Sequence, residues 1–98
     1  MLVLQVVTLS HIGAVRTGNE DTVGVGAWRS VGSSGTPWVV ICEVTEPVLC
    51  VVADGMGGHA AGERASGLAV TELCAVGATL TKPGLVNAEL AHINDLIY

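Results

Sequence analysis

Residues 48–66 read V-L-C-V-V-A-D-G-M-G-G-H-A-A-G-E-R-A-S, and no other stretch limits the possible folds as much. The run 48–52 is continuously apolar and rich in β-branched side chains, the pattern of a strand buried on both faces. Asp54 follows, with glycines at 55, 57 and 58, where the backbone must turn or admit a close neighbour. A helix then begins, with Glu63 in its first turn, where a negative charge suits the positive end of the helix dipole. A carboxylate at the end of a rigid strand, in a turn with space beside it, is the setting of an acidic metal ligand. An Ala-Asp-Gly turn by itself is common without any ligand, so chemistry here requires a second feature.

The glycine run is not a simple phosphate cradle. Such loops offer backbone N–H groups, and the Walker type adds a lysine, whereas this run has no G-K-[ST] and carries Asp54. An anionic carboxylate repels phosphate unless a divalent cation lies between them, in which case both become its ligands.

The chain has 98 residues, half of them apolar, enough for one small domain. Its formal charge of −5, with four Lys and Arg together, argues against a nucleic-acid surface. No apolar run reaches the length of a membrane span. Residues 1–10 lack a basic leading region and a small-residue cleavage site, so they predict a strand and not a signal peptide. Cys42, Cys50 and Cys74 are odd in number, form no C-x-x-C, and lie in apolar segments. They are expected to be buried thiols of a protein in the reducing cytoplasm.

Strands are expected over 2–9, 21–28, 38–44 and 48–53, with a loop at 10–18, a loop or hairpin tip at 29–37 and a turn near Glu46-Pro47. From Gly62 the period changes to helical, with Ala65, Leu68, Ala69, Leu73 and Val76 on one face. Thr81-Lys82-Pro83 predicts a second helix start, followed by Val86, Leu90, Ile93 and Ile97 in helical register. That helix pattern reaches Tyr98 without a glycine cap, and two helices cover one face of a four-stranded sheet. The expectation is an α+β fold, the front portion of a larger domain spanning 1–98.

The second feature is Ser10-x-x-Gly13-x-x-Arg16-Thr17-Gly18-Asn19-Glu20-Asp21, between the first two strands. Arginine presents a planar fork suited to phosphate, and adjacent carboxylates are hard oxygen ligands for Mg²⁺ or Mn²⁺. A solvated loop with a local ion pair explains R-x-x-N-E-D alone. It is the ordered pair of motifs, this one and V-V-A-D-G-M-G-G-H-x-x-G-E-x-A-S, that carries the argument.

Together these two runs resemble the metal-dependent PPM-type (type 2C) serine/threonine protein phosphatases in their bacterial form. The resemblance covers nearly the whole chain and less than half of that family's domain. It implies an αββα sandwich, antiparallel sheets flanked by helices, of which this chain is the incomplete N-terminal part. It implies two Mn²⁺ or Mg²⁺ ions bridged by Asp54, with Gly55 contributing its carbonyl directly or through water, and Glu20 serving the second ion with Asp21 in support. Arg16 corresponds to the arginine that holds the substrate phosphate, so Arg16 and Asp54 are the expected catalytic residues. Water acidified by the two cations then attacks phosphorus in line, with no phosphoenzyme. The implied partners are phosphorylated proteins, opposite a serine/threonine kinase.

Three departures matter. Met56 stands where animal members carry a histidine general acid, as is common in bacterial members, and His59 is a candidate substitute. Between Asp21 and Asp54 the chain is longer than bacterial relatives lead one to expect, and 28–45 is read as holding an inserted hairpin. The family's remaining metal aspartates belong to a C-terminal half not contained in these 98 residues. Two other functional classes are therefore compatible with the sequence: a non-catalytic binding module, and a truncated product of an interrupted frame.

Overall fold

The computed structural model describes residues 1–14, 18–31, 35–55 and 60–97. In chain order the elements are β1 (Val3–Thr8), β2 (Thr22–Val25), β3 (Trp28–Val31), β4 (Trp38–Glu43), β5 (Cys50–Ala53), α1 (Ala60–Val76) and α2 (Pro83–Ile97). A short 3-10 turn, Gly77–Thr79, joins the helices. All strand pairing is antiparallel: β1 pairs with β4, and a second sheet has the order β3-β2-β5. The fold is α+β, with two antiparallel sheets and two helices.

The expected single strand over 21–28 is instead a hairpin. β2 and β3 pair with Val25 opposite Trp28, leaving Gly26 and Ala27 as a two-residue turn. Gly26 has φ +57°, a value that glycine takes without steric cost at the first position of such a turn. The alternation Val23, Val25, Ala27 hid this reversal, because a tight hairpin preserves the apolar periodicity on either side of its turn. The 29–37 stretch is accordingly not all loop, since Trp28–Val31 is β3. Nor is 28–45 an inserted hairpin: β3 pairs with β2 and β4 with β1, so the segment passes from one sheet to the other.

Facing residues fix the order of the layers, because directly opposed residues in an antiparallel pair share a face. Thr22 and Gly24 look toward α1. The Thr22 hydroxyl meets Ser66 Oγ, and a Cβ added at Gly24 would lie 2.6 Å from Val70. Val23 and Val25 take the other face with Trp28, whose ring lies 6.1 Å from that of Trp38 on β4. The layers therefore run α1, three-stranded sheet, two-stranded sheet. An apolar recess of ≈ 310 Å³ lies where the sheets face each other, lined among others by Val6, Thr8, Val23 and Val25.

The buried apolar set is small: Val23, Val25, Val70, Leu73 and Ile93. Val52 is 74% exposed and Cys50 is exposed, so β5 is covered on one face only, contrary to its continuous apolar pattern. The same geometry corrects the expectation for the thiols, since Cys42 and Cys74 are half-buried and none of the three is fully enclosed. On α1 the buried stripe is Gly62, Ser66, Val70, Leu73 and Gly77 just beyond it, one position round from the expected Ala65-Leu68-Ala69 face. Small residues there allow the helix to approach Gly24, and apolar periodicity alone misses a stripe containing glycine and serine.

On the two-stranded sheet, Val3, Val7, Val39 and Ile41 are exposed, with Val7 directly opposite Val39. Among the described residues no layer covers this outer face. On α2, Ile93 is buried while Leu85, Leu90 and Leu96 are exposed. Among the described residues no helix is long and apolar enough to cross a membrane.

Candidate metal centre

The two motifs meet where β2 begins and β5 ends. Thr22 is opposite Ala53, so continuing the antiparallel register sets Asp21 across from Asp54 and Glu20 across from Gly55. The neighbouring backbone supports that continuation: a Cβ on Gly55 would sit 2.6 Å from the Glu20 carbonyl oxygen. It would also collide with the Gly62 carbonyl at the start of α1. Gly55 is buried between two pieces of main chain, and its φ is not positive, so close approach and not turn geometry excludes a side chain.

Ser66 holds the helix to this junction. Its Oγ donates to the Glu20 carbonyl at 2.6 Å and lies 3.1 Å from the Glu63 carbonyl. A serine hydroxyl has one proton, so with that proton on a carbonyl, the Thr22 hydroxyl at 2.9 Å is the donor to Ser66. Ser66→Ala leaves a buried Thr22 hydroxyl and the Glu20 carbonyl short of a partner, at a cost of about 1–3 kcal/mol. Urea denaturation should show that loss as a lower midpoint with unchanged slope. A variant within about 0.5 kcal/mol of the parent would remove Ser66 from this role.

The loop before β2 is braced in the same manner. Asn19 Nδ2 donates to Ser10 Oγ at 2.8 Å, and the Asp21 N–H donates to Asn19 Oδ1 at 3.1 Å. Ser10 and Asn19, part of the motif without an assigned task in the sequence, are positioning residues that present Glu20 and Asp21 to the end of β5.

The carboxyl groups themselves differ sharply in environment. Glu20 is 8% exposed, and its Oε2 is buried without a hydrogen-bond partner among the described residues. Asp21 is half-buried and Asp54 exposed. The backbone brings Glu20, Asp21, Asp54 and Gly55 together, yet the three carboxylates do not close to within 4.8 Å of one another as a group. Their burial differs accordingly along the chain: Glu20 is buried, Asp21 half-buried and Asp54 exposed just past the last paired residues of β2 and β5. Arg16, Met56 and His59 lie outside the described residues.

A buried carboxylate oxygen without a partner is costly, and a cation or a proton relieves that cost. The donor set of two aspartates, a glutamate and a backbone carbonyl consists of hard oxygen atoms, which fits Mg²⁺ or Mn²⁺ and does not suit a thiophilic ion. Burial pushes the Cys74 thiol above its ordinary pKa, with Arg29 opposing that shift and Cys50 adding to it, so Cys74 stays protonated near neutrality.

Comparison with protein-family models, with curated proteins and with solved structures returned no match for this chain.

Proposed function

We propose that the chain is the N-terminal segment of a metal-dependent serine/threonine protein phosphatase domain. The observation that carries this reading is the junction of the Glu20-Asp21 and Asp54-Gly55 backbones beside a buried carboxylate oxygen that has no partner among the described residues. Glu20, Asp21, Asp54 and the Gly55 carbonyl would hold two Mn²⁺ or Mg²⁺ ions, which when bound supply the charge that acidifies water and neutralises phosphoryl oxygens. The chain's own residues bind and orient: Asp54 at the strand end shares its negative charge with the centre, Glu20 is fixed through its carbonyl by Ser66, and Arg16 engages the phosphate of a phosphoserine or phosphothreonine protein. The uncovered Val3-Val7-Val39-Ile41 face supports the further proposal that a second helical layer completes an αββα sandwich over it.

The test is Mn²⁺-dependent hydrolysis of a phosphothreonine peptide, abolished by EDTA, by the chain extended to the full sandwich. The 98 residues alone should give background turnover. Arg16→Ala in the extended chain should mainly raise KM, because a phosphate contact already made in the ground state contributes to binding. Calorimetric Mn²⁺ affinity should stay near that of the parent. Loss of metal binding with constant KM would overturn the role given to Arg16.

A further inference from the structure

We propose that His11 contacts the substrate, its Nε2 donating a hydrogen bond to a main-chain carbonyl of the phosphorylated peptide beside the phosphoresidue; this rests on the phosphatase reading above. His11 occupies the first variable position of the Ser10-x-x-Gly13 motif. The structure nevertheless gives its ring a fixed place. Nδ1 accepts the Gly13 N–H at 2.8 Å. With Nδ1 accepting, the proton of the neutral imidazole is on Nε2, which is then a donor. The ring rests against Gly35, where an added Cβ would lie 2.6 Å from Cδ2.

Contacts on either side put this ring at the edge of the carboxylate centre. Ser10, the preceding residue, accepts from Asn19 Nδ2 at 2.8 Å, and Asn19 Oδ1 in turn accepts the Asp21 N–H. Gly35 leads into β4, whose first residue, Trp38, stands opposite Thr8, the last residue of β1. The ring is therefore held between the loop leaving β1 and the segment entering β4, and its backbone neighbour is tied to the segment that carries Glu20 and Asp21. Arg16 follows five residues later in the same loop of the sequence. His11 is exposed, and among the described residues its Nε2 has no hydrogen-bond partner.

The chemistry of the donor and its place select the acceptor. The phosphate is already provided for by the metal ions and Arg16, so a donor at the rim meets what the phosphate is attached to. A Cβ added at Gly13 or at Gly18 would meet nothing within 4 Å, so the loop leaves room for an extended peptide to lie along it. Such a peptide presents main-chain carbonyls, each of which needs a donor once water is displaced. A small aryl phosphate has no such carbonyl. The contact therefore belongs to the ground-state binding of peptides and distinguishes them from simple phosphate monoesters.

Steady-state kinetics with Mn²⁺, in the chain extended to the full sandwich, test this on a phosphothreonine peptide and on p-nitrophenyl phosphate. His11→Ala is expected to raise KM for the peptide about five- to tenfold, with kcat and both constants for p-nitrophenyl phosphate within about twofold of the parent. His11→Gln, whose amide N–H reaches close to the Nε2 position, should recover most of the peptide KM. His11→Asn keeps an oxygen for the Gly13 N–H but its amide falls short of the substrate, so it should behave like His11→Ala. Should His11→Ala fail to fold, His11→Asn gives the same reading with the loop bond preserved. Recovery by Asn and not by Gln, an equal loss on both substrates, or an unchanged peptide KM in His11→Ala would overturn the proposal and leave the phosphatase reading standing. Absence of Mn²⁺-dependent turnover of either substrate in the parent would instead remove that reading, and this proposal with it.

Discussion

Asp54→Asn in the extended domain is expected to lower Mn²⁺-dependent hydrolysis of a phosphothreonine peptide by roughly a thousandfold or more, about 4 kcal/mol of transition-state stabilisation. The change removes one negative charge and keeps the shape of the side chain. Asp54 is exposed at the end of β5 and outside the small buried set, so stability should move by no more than about 0.5 kcal/mol. A large kinetic effect with a negligible stability effect is what a metal ligand on a rigid strand end predicts, and a turn residue would show neither. Calorimetry on the same variant should register weaker Mn²⁺ binding. Turnover near that of the parent would take Asp54 out of the catalytic centre and the proposed function with it.

Gly55→Ala is expected to produce a large structural effect for a single added methyl. The new Cβ would meet the Glu20 carbonyl oxygen at 2.6 Å and clash with the Gly62 carbonyl. Both obstacles are main chain, so neither can swing aside as a flexible side chain would. Relief requires β5 to move from the start of α1, or α1 to shift along the sheet, which breaks the Ser66 contacts to Glu20 and Thr22. A loss of about 3 kcal/mol or more is expected, at the upper end of overpacking costs, measured as a shift of the urea midpoint. The same insertion at Gly84, which has open space around it, should cost little and serves as the control. A Gly55→Ala variant as stable as the Gly84→Ala variant would show that the two strand ends are not packed against the helix start.

The strands over 2–9, 38–44 and 48–53 and the two helices were legible because each carries its own period, set by backbone geometry that a few neighbouring residues dictate. Turn chemistry was less legible. Gly26 sits within an unbroken apolar alternation, and only the pairing of Val25 with Trp28 reveals that the chain reverses there. Burial was the least legible property. A continuous apolar run reads as a strand enclosed on both faces, yet Val52 is 74% exposed, because enclosure depends on which other element arrives. The buried stripe of α1 escaped notice for the opposite reason: Gly62 and Ser66 are chosen for closeness and hydrogen bonding, to which hydropathy is blind.

The candidate centre divides along the same line. Residue type and local order determined that Glu20, Asp21, Asp54 and Gly55 are hard-oxygen donors at strand ends, since that depends on side-chain chemistry and on glycine's missing Cβ. Their meeting was decided by tertiary structure alone. It follows from the antiparallel register of β2 with β5 and from a serine on α1 that bonds the Glu20 carbonyl, contacts 44 or 46 residues apart that no local pattern encodes. Tertiary structure also decided that Glu20 is buried and Asp54 exposed, because enclosure depends on which other elements arrive beside each strand end and not on the residue itself.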